Sequence, residues 1–115
     1  PVYNKRGILL LPKVIVLNPK DGIEGGLKFG IGTDGIHQGL AQEAKYISQL
    51  GASNKNVLAG ITVNAARLCG VSEKTGVIEK GLAADLVILD GNPMNDIDAL
   101  KKVVAVYQDG KKIEI

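Results

Sequence analysis

The order of apolar patterns along this chain predicts an α/β fold. Residues 27–32, LKFGIG, form a short, largely apolar run that is typical of a strand buried on both faces. Two stretches with apolar residues at helical spacing follow, over residues 40–50 and 53–70. After residue 70 the chain changes to short runs rich in Val and Ile, and no internal repeat or low-complexity tract is present. We therefore expect one strand and two helices, followed by a block of short strands.

The first 26 residues are less regular than the rest. Two short apolar runs flank Pro12 and are predicted to be strand-like. Val14–Leu17 is the stronger candidate, because β-branched residues favour strands. The segment 18–26, NPKDGIEGG, has the proline, glycine and Asp-Gly content of a loop.

The first predicted helix covers residues 40–50. Its sequence, LAQEAKYISQL, places apolar residues on one stripe, at positions 40, 44, 47 and 50. Gly51 follows, where a residue in the left-handed conformation can close the helix. Glu43 falls in the first turn, where its negative charge is favourable to the helix dipole. The alternative for Glu43 is a contact with a substrate.

The second predicted helix covers residues 53–70. Ser53 or Asn54 is the expected N-terminal cap, and Gly70 is the expected end. Gly60, in the middle of the helix, costs about 1 kcal/mol relative to alanine. We therefore expect another element to pack closely against Gly60.

The last third of the chain is predicted to form short strands. Residues 76–81 and 84–90 are two such runs with a glycine turn between them. Residues 92–100 offer a turn and one helical turn. Two further runs flank the dipeptide Asp109-Gly110, which is the strongest short signal for a β-hairpin.

Composition and charge exclude several classes of protein. Hydrophobic residues make up 45% and charged residues 23% of the 115 residues, as in ordinary globular domains. The net charge is +2 and aromatic residues make up 3%, so no nucleic-acid partner is predicted. The longest apolar stretch, residues 8–17, is far shorter than the roughly 20 residues that cross a membrane. The single cysteine, Cys69, rules out an internal disulfide, suits the cytoplasm and is predicted to be a small core residue.

Three motifs occur in order: GIGTD at residues 30–34, TVNAARLCGV at 62–71, and TGVIEKGLAADLVILDGNPMNDI at 75–97. Together they resemble the C-terminal part of the amidohydrolase superfamily, metal-dependent hydrolases built on a TIM barrel. The last motif is the most specific, because it follows the family pattern G-x-I-x-x-G-x-x-A-D-L-V-x-x-D. Its end, DGNPMNDI, and the segment GIHQGLAQE at residues 35–43 resemble the imidazolonepropionase-like and prolidase-like branch.

The resemblance covers roughly residues 27–115 and implies a division of the chain. It implies that residues 1–70 are a partial barrel segment, with the last barrel strand and the two helices that follow it. It implies that residues 71–115 are the C-terminal segment of a composite β-sandwich. Residues 1–26 fit the pattern less well, because the family has a helix before its eighth strand. The implied fold class is therefore α/β, the end of a TIM barrel followed by short sandwich strands.

The resemblance also implies a catalytic role for Asp34, at the carboxyl end of the eighth barrel strand. In the resembled mechanism a bound divalent metal, zinc above all, acidifies a water molecule. The carboxylate takes the proton and delivers it to the leaving amine. Asp34 is also a metal ligand in the complete enzyme of this family. From local context alone, an Asp after a strand can equally be a turn or cap residue that accepts backbone N–H groups.

Four other polar residues are assigned lesser roles. His37 is expected to contact a substrate carboxylate or carbonyl at the rim of the site, the alternative being an exposed loop histidine without a role. Asp85 is expected to be structural and to accept backbone amides where the sandwich strand begins. Asn64 and Arg67 are expected to pack the helix against the barrel and to hydrogen-bond to it.

The chain lacks most of the metal ligands of this family. A catalytic zinc usually takes three protein ligands, mostly histidine, and this sequence has one His and no His-x-His. A TIM barrel takes about 250 residues. We therefore expect the chain to bind no metal alone and to be inactive alone. It is interpreted as a C-terminal fragment that needs the missing N-terminal barrel region or a partner chain, and its substrate as a small amide, cyclic amide or dipeptide.

A second interpretation treats the chain as a non-catalytic, self-associating module derived from the same fold. The family's β-sandwich borrows strands from both ends of the parent chain. Strands with unpaired edges tend to pair with another copy, so a homo-oligomer is expected. Under both interpretations the chain is expected in the cytoplasm, with no membrane or nucleic-acid partner.

Overall fold

The computed structural model describes residues 2–3, 9–10, 28–33 and 39–114. In chain order, the elements are the strands β1 (Val2–Tyr3) and β2 (Leu9–Leu10), the helices α1 (Leu40–Gln49), α2 (Asn54–Ile61) and α3 (Val63–Leu68), the strand β3 (Leu86–Leu89), a 3-10 helix (Ile97–Lys101), and the strands β4 (Val103–Gln108) and β5 (Lys111–Ile113). Strands β1 and β2 pair antiparallel, and β3, β4 and β5 form an antiparallel sheet in that order. The chain therefore combines helices with antiparallel strands. The predicted strand at Val14–Leu17 lies outside the described residues.

The segment 28–33 is buried but is not part of a sheet. Phe29, Gly30 and Ile31 are three consecutive buried residues, as expected for a chain segment that is covered on both faces. Of the strand predicted over 27–32, the described residues 28–32 are not in a strand, because no other described segment pairs with residues 28–33. A strand needs a hydrogen-bonded neighbour, and burial alone does not supply one.

Helix α1 confirms the first predicted helix. Ala44 and Ile47 are fully buried on one side of it, and Glu43 lies in its first turn. At the C-terminal end the N–H of Gly51 donates to Ser48 O at 3.0 Å, and the N–H of Ala52 donates to Ile47 O at 3.4 Å. Gly51 has a φ of +109°, so the predicted glycine closes the helix in a Schellman motif.

The second predicted helix is two helices, which is a correction. Ser53 caps the first of them, because its Oγ accepts the N–H of Asn56 at 3.2 Å. The helix breaks at Thr62, whose backbone has φ −127° and ψ −96°. The Thr62 hydroxyl donates to Leu58 O at 2.6 Å, a bond to the preceding turn that tends to bend helices. Gly70 ends α3 with a φ of +73°, as predicted.

The core lies between the helices, the segment 28–33 and the 3-10 helix. Its buried members are all apolar: Phe29, Ile31, Ala44, Ile47, Ala52, Val57 and Ile97. A Cβ at Gly60 would lie 3.1 Å from the Phe29 ring and 3.2 Å from Ile31 Cγ1. The close packing predicted at Gly60 is thus confirmed, and the glycine allows the segment 28–33 to approach α2.

The 3-10 helix is tied to α1 by polar contacts. Lys45 Nζ lies 2.9 Å from Asp98 Oδ2, and Lys101 Nζ lies 3.9 Å from Asp98 Oδ1. The hydrogen bond from Lys45 is the largest cause that lowers the pKa of Asp98, and the charges of Lys45, Lys101 and Lys102 add to it against a smaller opposing effect of burial. The helical turn predicted in residues 92–100 is confirmed by this element.

The terminal sheet contains the predicted hairpin. Asp109 and Gly110 both have positive φ, +50° and +78°, as a type I′ turn between β4 and β5 requires. The strand predicted over 76–81 is wrong, because Gly76 and Gly81 have φ near +108° and +94° and turns occupy this region. In the described part of the chain, no helix is both long and apolar enough to span a membrane.

Candidate functional site

The two predicted site residues, Asp34 and His37, lie outside the described residues. They fall in the stretch between Thr33 and Gly39, both of which are described. The structure therefore describes the segments on both sides of the candidate site. The catalytic and metal-ligand roles of Asp34, and the substrate-binding role of His37, stay predictions.

The segment that leads to the site is anchored through its backbone. The N–H of Ile31 donates to Gly60 O at 2.9 Å, which ties the segment 28–33 to α2. A Cβ at Gly30 would lie 2.6 Å from Leu68 Cδ1, so the segment also lies directly against α3. Buried Phe29 and Ile31 add apolar contacts on the core side. The residues that directly precede Thr33 are therefore packed against α2, α3 and the core.

The segment that leaves the site begins α1. Gly39 is the N-cap residue, and its carbonyl accepts the N–H of Glu43 at 2.9 Å. Ala44 and Ile47 then fix the helix in the core. Both ends of the stretch between Thr33 and Gly39 are thus held by packed elements.

Glu43 carries a feature that the sequence analysis did not predict. The residue is half-buried, and its Oε2 atom is closed off from solvent with no hydrogen-bond partner among the described residues. A buried carboxylate oxygen of this kind is costly unless a donor reaches it. The signal for burial was its place three residues after Leu40 and four before Ile47, beside the apolar stripe of α1. Chemically, this oxygen can accept a hydrogen bond from any donor that reaches it.

A groove of about 530 Å³ separates the helices from the terminal sheet. Its walls are mainly apolar and include Leu40 and Ile61 on the helical side and Val87 and Val103 on the sheet side. Asp85 lines it too, but its Oδ1 accepts the N–H of Asp109 at 2.8 Å. That bond confirms the structural role predicted for Asp85, at the start of β3.

The other singled-out residues have mixed outcomes. Cys69 is exposed, so the prediction of a core cysteine is wrong; it lies at the C-cap of α3, outside the apolar face of that helix. Asn64 is half-buried and Arg67 is exposed. Their hydrogen bonds to a barrel stay a prediction.

The described residues do not fit a catalytic metal site. Within residues 28–33 and 39–114, no group of three His, Cys, Asp or Glu side chains is placed to hold a metal ion. A catalytic zinc needs about three protein ligands. The described residues therefore do not form such a site by themselves.

Known proteins give a consistent picture of the chain. The model of the amidohydrolase family matches residues 14–113. An Xaa-Pro dipeptidase, solved with methionine bound in its active site, is 32% identical with a TM-score of 0.79 over 84% of this chain and 25% of its own. A putative prolidase from Bifidobacterium longum is 30% identical with a TM-score of 0.76 over 83% of this chain and 25% of its own. An amidohydrolase from Thermotoga maritima is 28% identical with a TM-score of 0.66 over 79% of this chain and 24% of its own.

The matches cover most of this chain but only a small share of each similar structure. The chain spans about a quarter of the length of the solved structures it resembles. No curated protein matches the chain. Three quarters of each similar structure thus has no counterpart in these 115 residues.

Proposed function

We propose that this chain, which belongs to the amidohydrolase family, forms the C-terminal part of a metal-dependent hydrolase that cleaves C–N bonds. The observation that carries the proposal is the family match over residues 14–113, which includes Asp34 and His37. The names of two similar structures, an Xaa-Pro dipeptidase and a putative prolidase, favour a dipeptide among the possible amide substrates.

The chain divides into two parts under this proposal. Residues 1–70 contribute the end of a TIM barrel, and residues 71–115 contribute to a β-sandwich. Two features support the division: the helices pack with the segment 28–33, and the sheet β3–β5 begins at Leu86. The strands β3–β5 pair antiparallel, whereas the strands of a TIM barrel are parallel. This difference supports the proposal that the sheet belongs to a unit separate from the barrel.

Asp34 is the proposed catalytic residue. Its carboxylate accepts a proton from the attacking water and gives that proton to the nitrogen of the leaving group. His37 is proposed to contact a carboxylate or carbonyl of the substrate. Each role places the residue between the packed base at Thr33 and the start of α1, where the chain is held on both sides.

The metal is proposed to belong to the complete enzyme. A divalent ion, zinc above all, supplies an acidified water when it is bound. Its ligands are proposed to come mostly from the missing N-terminal region, with Asp34 as a further ligand, because the described residues hold no cluster of three donors. The isolated chain is therefore proposed to be inactive.

A chimera tests this function. In it, the present chain replaces the matching quarter of the Xaa-Pro dipeptidase that is 32% identical. The measurement is the rate of hydrolysis of an Xaa-Pro dipeptide, with and without a chelator. The proposal expects hydrolysis by the chimera, loss of hydrolysis in the chelator, and none with the chain alone. A folded chimera that cleaves no Xaa-Pro dipeptide or other small amide contradicts it.

One observation favours a second candidate, a non-catalytic self-associating module. Among the described strands, β3 and β5 each pair on one side, with β4. Such open edges can pair with a second copy and give a homo-oligomer. Size-exclusion chromatography of the isolated chain decides this candidate, since a monomer at all concentrations excludes it.

A further inference from the structure

Two Asp-Gly dipeptides, Asp90-Gly91 and Asp109-Gly110, lie on the surface of the described part of the chain, and all of their residues are exposed. Two others, Asp21-Gly22 and Asp34-Gly35, lie outside the described residues. An Asp-Gly dipeptide is open to rearrangement, because glycine has no side chain to hinder reaction at its backbone nitrogen. The two described dipeptides share this chemistry and differ in their surroundings.

The rearrangement is the formation of isoaspartate, which needs no reagent other than water. The nitrogen of the glycine forms a bond to Cγ of the aspartate, the bond from Cγ to its hydroxyl oxygen breaks, and water leaves with the amide proton. Water then opens the five-membered imide at either carbonyl. One product is aspartate again, and the other is isoaspartate, whose backbone runs through Cβ and Cγ. Because the nitrogen must give up its hydrogen, an N–H that is held in a hydrogen bond reacts more slowly.

The backbone of Asp109-Gly110 is held by two hydrogen bonds. The N–H of Gly110 donates to Ala84 O at 3.0 Å. The N–H of Asp109 donates to Asp85 Oδ1 at 2.8 Å. Reaction at Gly110 must therefore first break a bond that holds the turn between β4 and β5.

The surroundings of Asp90-Gly91 leave the glycine nitrogen free. The N–H of Asp90 donates to Lys102 O at 2.8 Å, but β3 has already ended at Leu89. Within residues 28–33 and 39–114, neither the N–H of Gly91 nor the carboxylate of Asp90 has a hydrogen-bond or ion-pair partner. No bond among the described residues has to break before this nitrogen reacts.

We propose that Asp90-Gly91 is a site of covalent modification, at which isoaspartate forms as the chain ages, and that the hydrogen bond of Gly110 protects Asp109-Gly110. This inference is independent of the proposed function. The added backbone carbon lies next to the bond from Asp90 to Lys102, which connects the end of β3 to the residue before β4. Modification at Asp90 therefore alters the backbone at the point where these two strands separate.

Ageing of the purified chain tests the proposal. The chain is kept at neutral pH and body temperature for several weeks. Its peptides are then analysed by electron-transfer mass spectrometry, which distinguishes isoaspartate from aspartate. We expect isoaspartate at position 90 to exceed that at position 109 at least about fivefold, because reaction at Gly110 first breaks a hydrogen bond. Equal amounts at the two positions, or none at position 90, overturn the proposal.

The same measurement in urea separates the effect of the structure from that of the sequence. The hydrogen bond of Gly110 is lost in the unfolded chain, so the two dipeptides are expected to react at similar rates. A preference for position 90 that persists in urea overturns the proposal, because it would come from the neighbouring residues in the sequence.

Asp85→Ala tests the protected turn in the folded chain. The substitution removes the acceptor of the Asp109 N–H, so the ratio of isoaspartate at position 90 to that at position 109 is expected to fall. Glu79→Ala, at an exposed glutamate elsewhere, is the control and is expected to leave the ratio unchanged. Circular dichroism checks that both variants retain the helical content of the parent chain. An unchanged ratio in folded Asp85→Ala overturns the protection assigned to the turn.

Discussion

The helical part of the chain and the terminal sheet differ in how completely they are packed. In the helices, Ala44, Ile47 and Val57 are fully enclosed. In the described strands β3–β5, Ala105 is the one buried apolar residue, while Val87 and Val104 are more than half exposed. The helical part therefore has a closed core, whereas the faces of the described strands β3–β5 are largely exposed. The comparison teaches that the described core is concentrated in the helices, while the described strands β3–β5 are mostly exposed.

The largest expected effect on stability comes from the closed core. Ile47→Ala removes a fully buried side chain and is expected to lower the free energy of unfolding by about 2–5 kcal/mol. Val104→Ala, at an exposed valine of the sheet, is the control and is expected to change it by less than about 0.5 kcal/mol. Urea unfolding of the isolated chain measures both. Equal losses at the two positions would remove the contrast between helices and sheet.

The next effect concerns the loop that joins the two parts. A Cβ at Gly76 would lie 2.6 Å from the Cβ of Ala66, and Gly76 has a φ of +108°. Gly81 has a φ of +94° with nothing within 4 Å of its Cβ position, which makes it a matched control. The positive φ is expected to lower the free energy of unfolding of both alanine variants by about 1–2 kcal/mol. The clash with Ala66 is expected to lower that of Gly76→Ala by a further amount of about 1–3 kcal/mol.

Thermal unfolding of Gly76→Ala and Gly81→Ala measures this difference. We expect the lower midpoint for Gly76→Ala. Identical midpoints would mean that the loop does not lie against α3 as the structure has it.

Substitution of Glu43 is expected to have a smaller effect on stability, and the direction of the change shows whether its buried oxygen has a hydrogen-bond donor. Its Oε2 is buried without a partner among the described residues, so Glu43→Gln is expected to stabilise the isolated chain by about 1 kcal/mol. Glu79→Gln, at an exposed glutamate, is the control and is expected to be neutral. Urea unfolding again provides the measurement. A loss of stability in Glu43→Gln would show that the isolated chain itself provides a donor to this carboxylate.

The smallest effect is a pH dependence at Asp98. Lys45 and the neighbouring lysines hold the pKa of Asp98 below its ordinary value of 3.8. The folded state therefore binds this proton less readily than the unfolded state, and the contribution is full above about pH 4 and lost as pH falls through the lowered pKa. The carboxylate is 43% exposed, so the effect is small.

Acid unfolding of Asp98→Asn and of the control Asp90→Asn measures this contribution. Asp98→Asn is expected to flatten the loss of stability below pH 4, whereas Asp90→Asn, at an exposed residue, leaves it unchanged. Parallel acid-unfolding curves for Asp98→Asn and the parent chain would exclude a role for the Lys45 contact.

Much of the fold could be predicted where one residue determines local geometry. Ser53, Gly51 and Gly70 fixed helix ends because capping and left-handed φ are local properties. Asp109-Gly110 fixed the hairpin for the same reason. The sequence motif also indicated the backbone role of Asp85.

The errors occurred where a neighbour decides the outcome. The run at residues 76–81 has strand-like residues, but no described strand pairs with it. Thr62 divides a continuous helical pattern because its hydroxyl bonds to the preceding turn, which the apolar spacing does not reveal. Cysteine is a residue type that is often buried, but Cys69 is exposed because it lies at the C-terminal end of α3, where no other described residue covers it. The role proposed for Asp34 has the same character, since it would depend on metal ligands that we expect from other parts of the enzyme.

The most direct test compares Asp34→Asn with Asp90→Asn in the chimera that carries the dipeptidase's remaining three quarters. The rate of Xaa-Pro hydrolysis is measured with metal present, after both variants are shown to have the thermal unfolding midpoint of the parent chimera. We predict that Asp34→Asn lowers the rate by about 10²–10⁴-fold and that Asp90→Asn leaves it unchanged. Undiminished hydrolysis by the Asp34→Asn chimera would contradict the account.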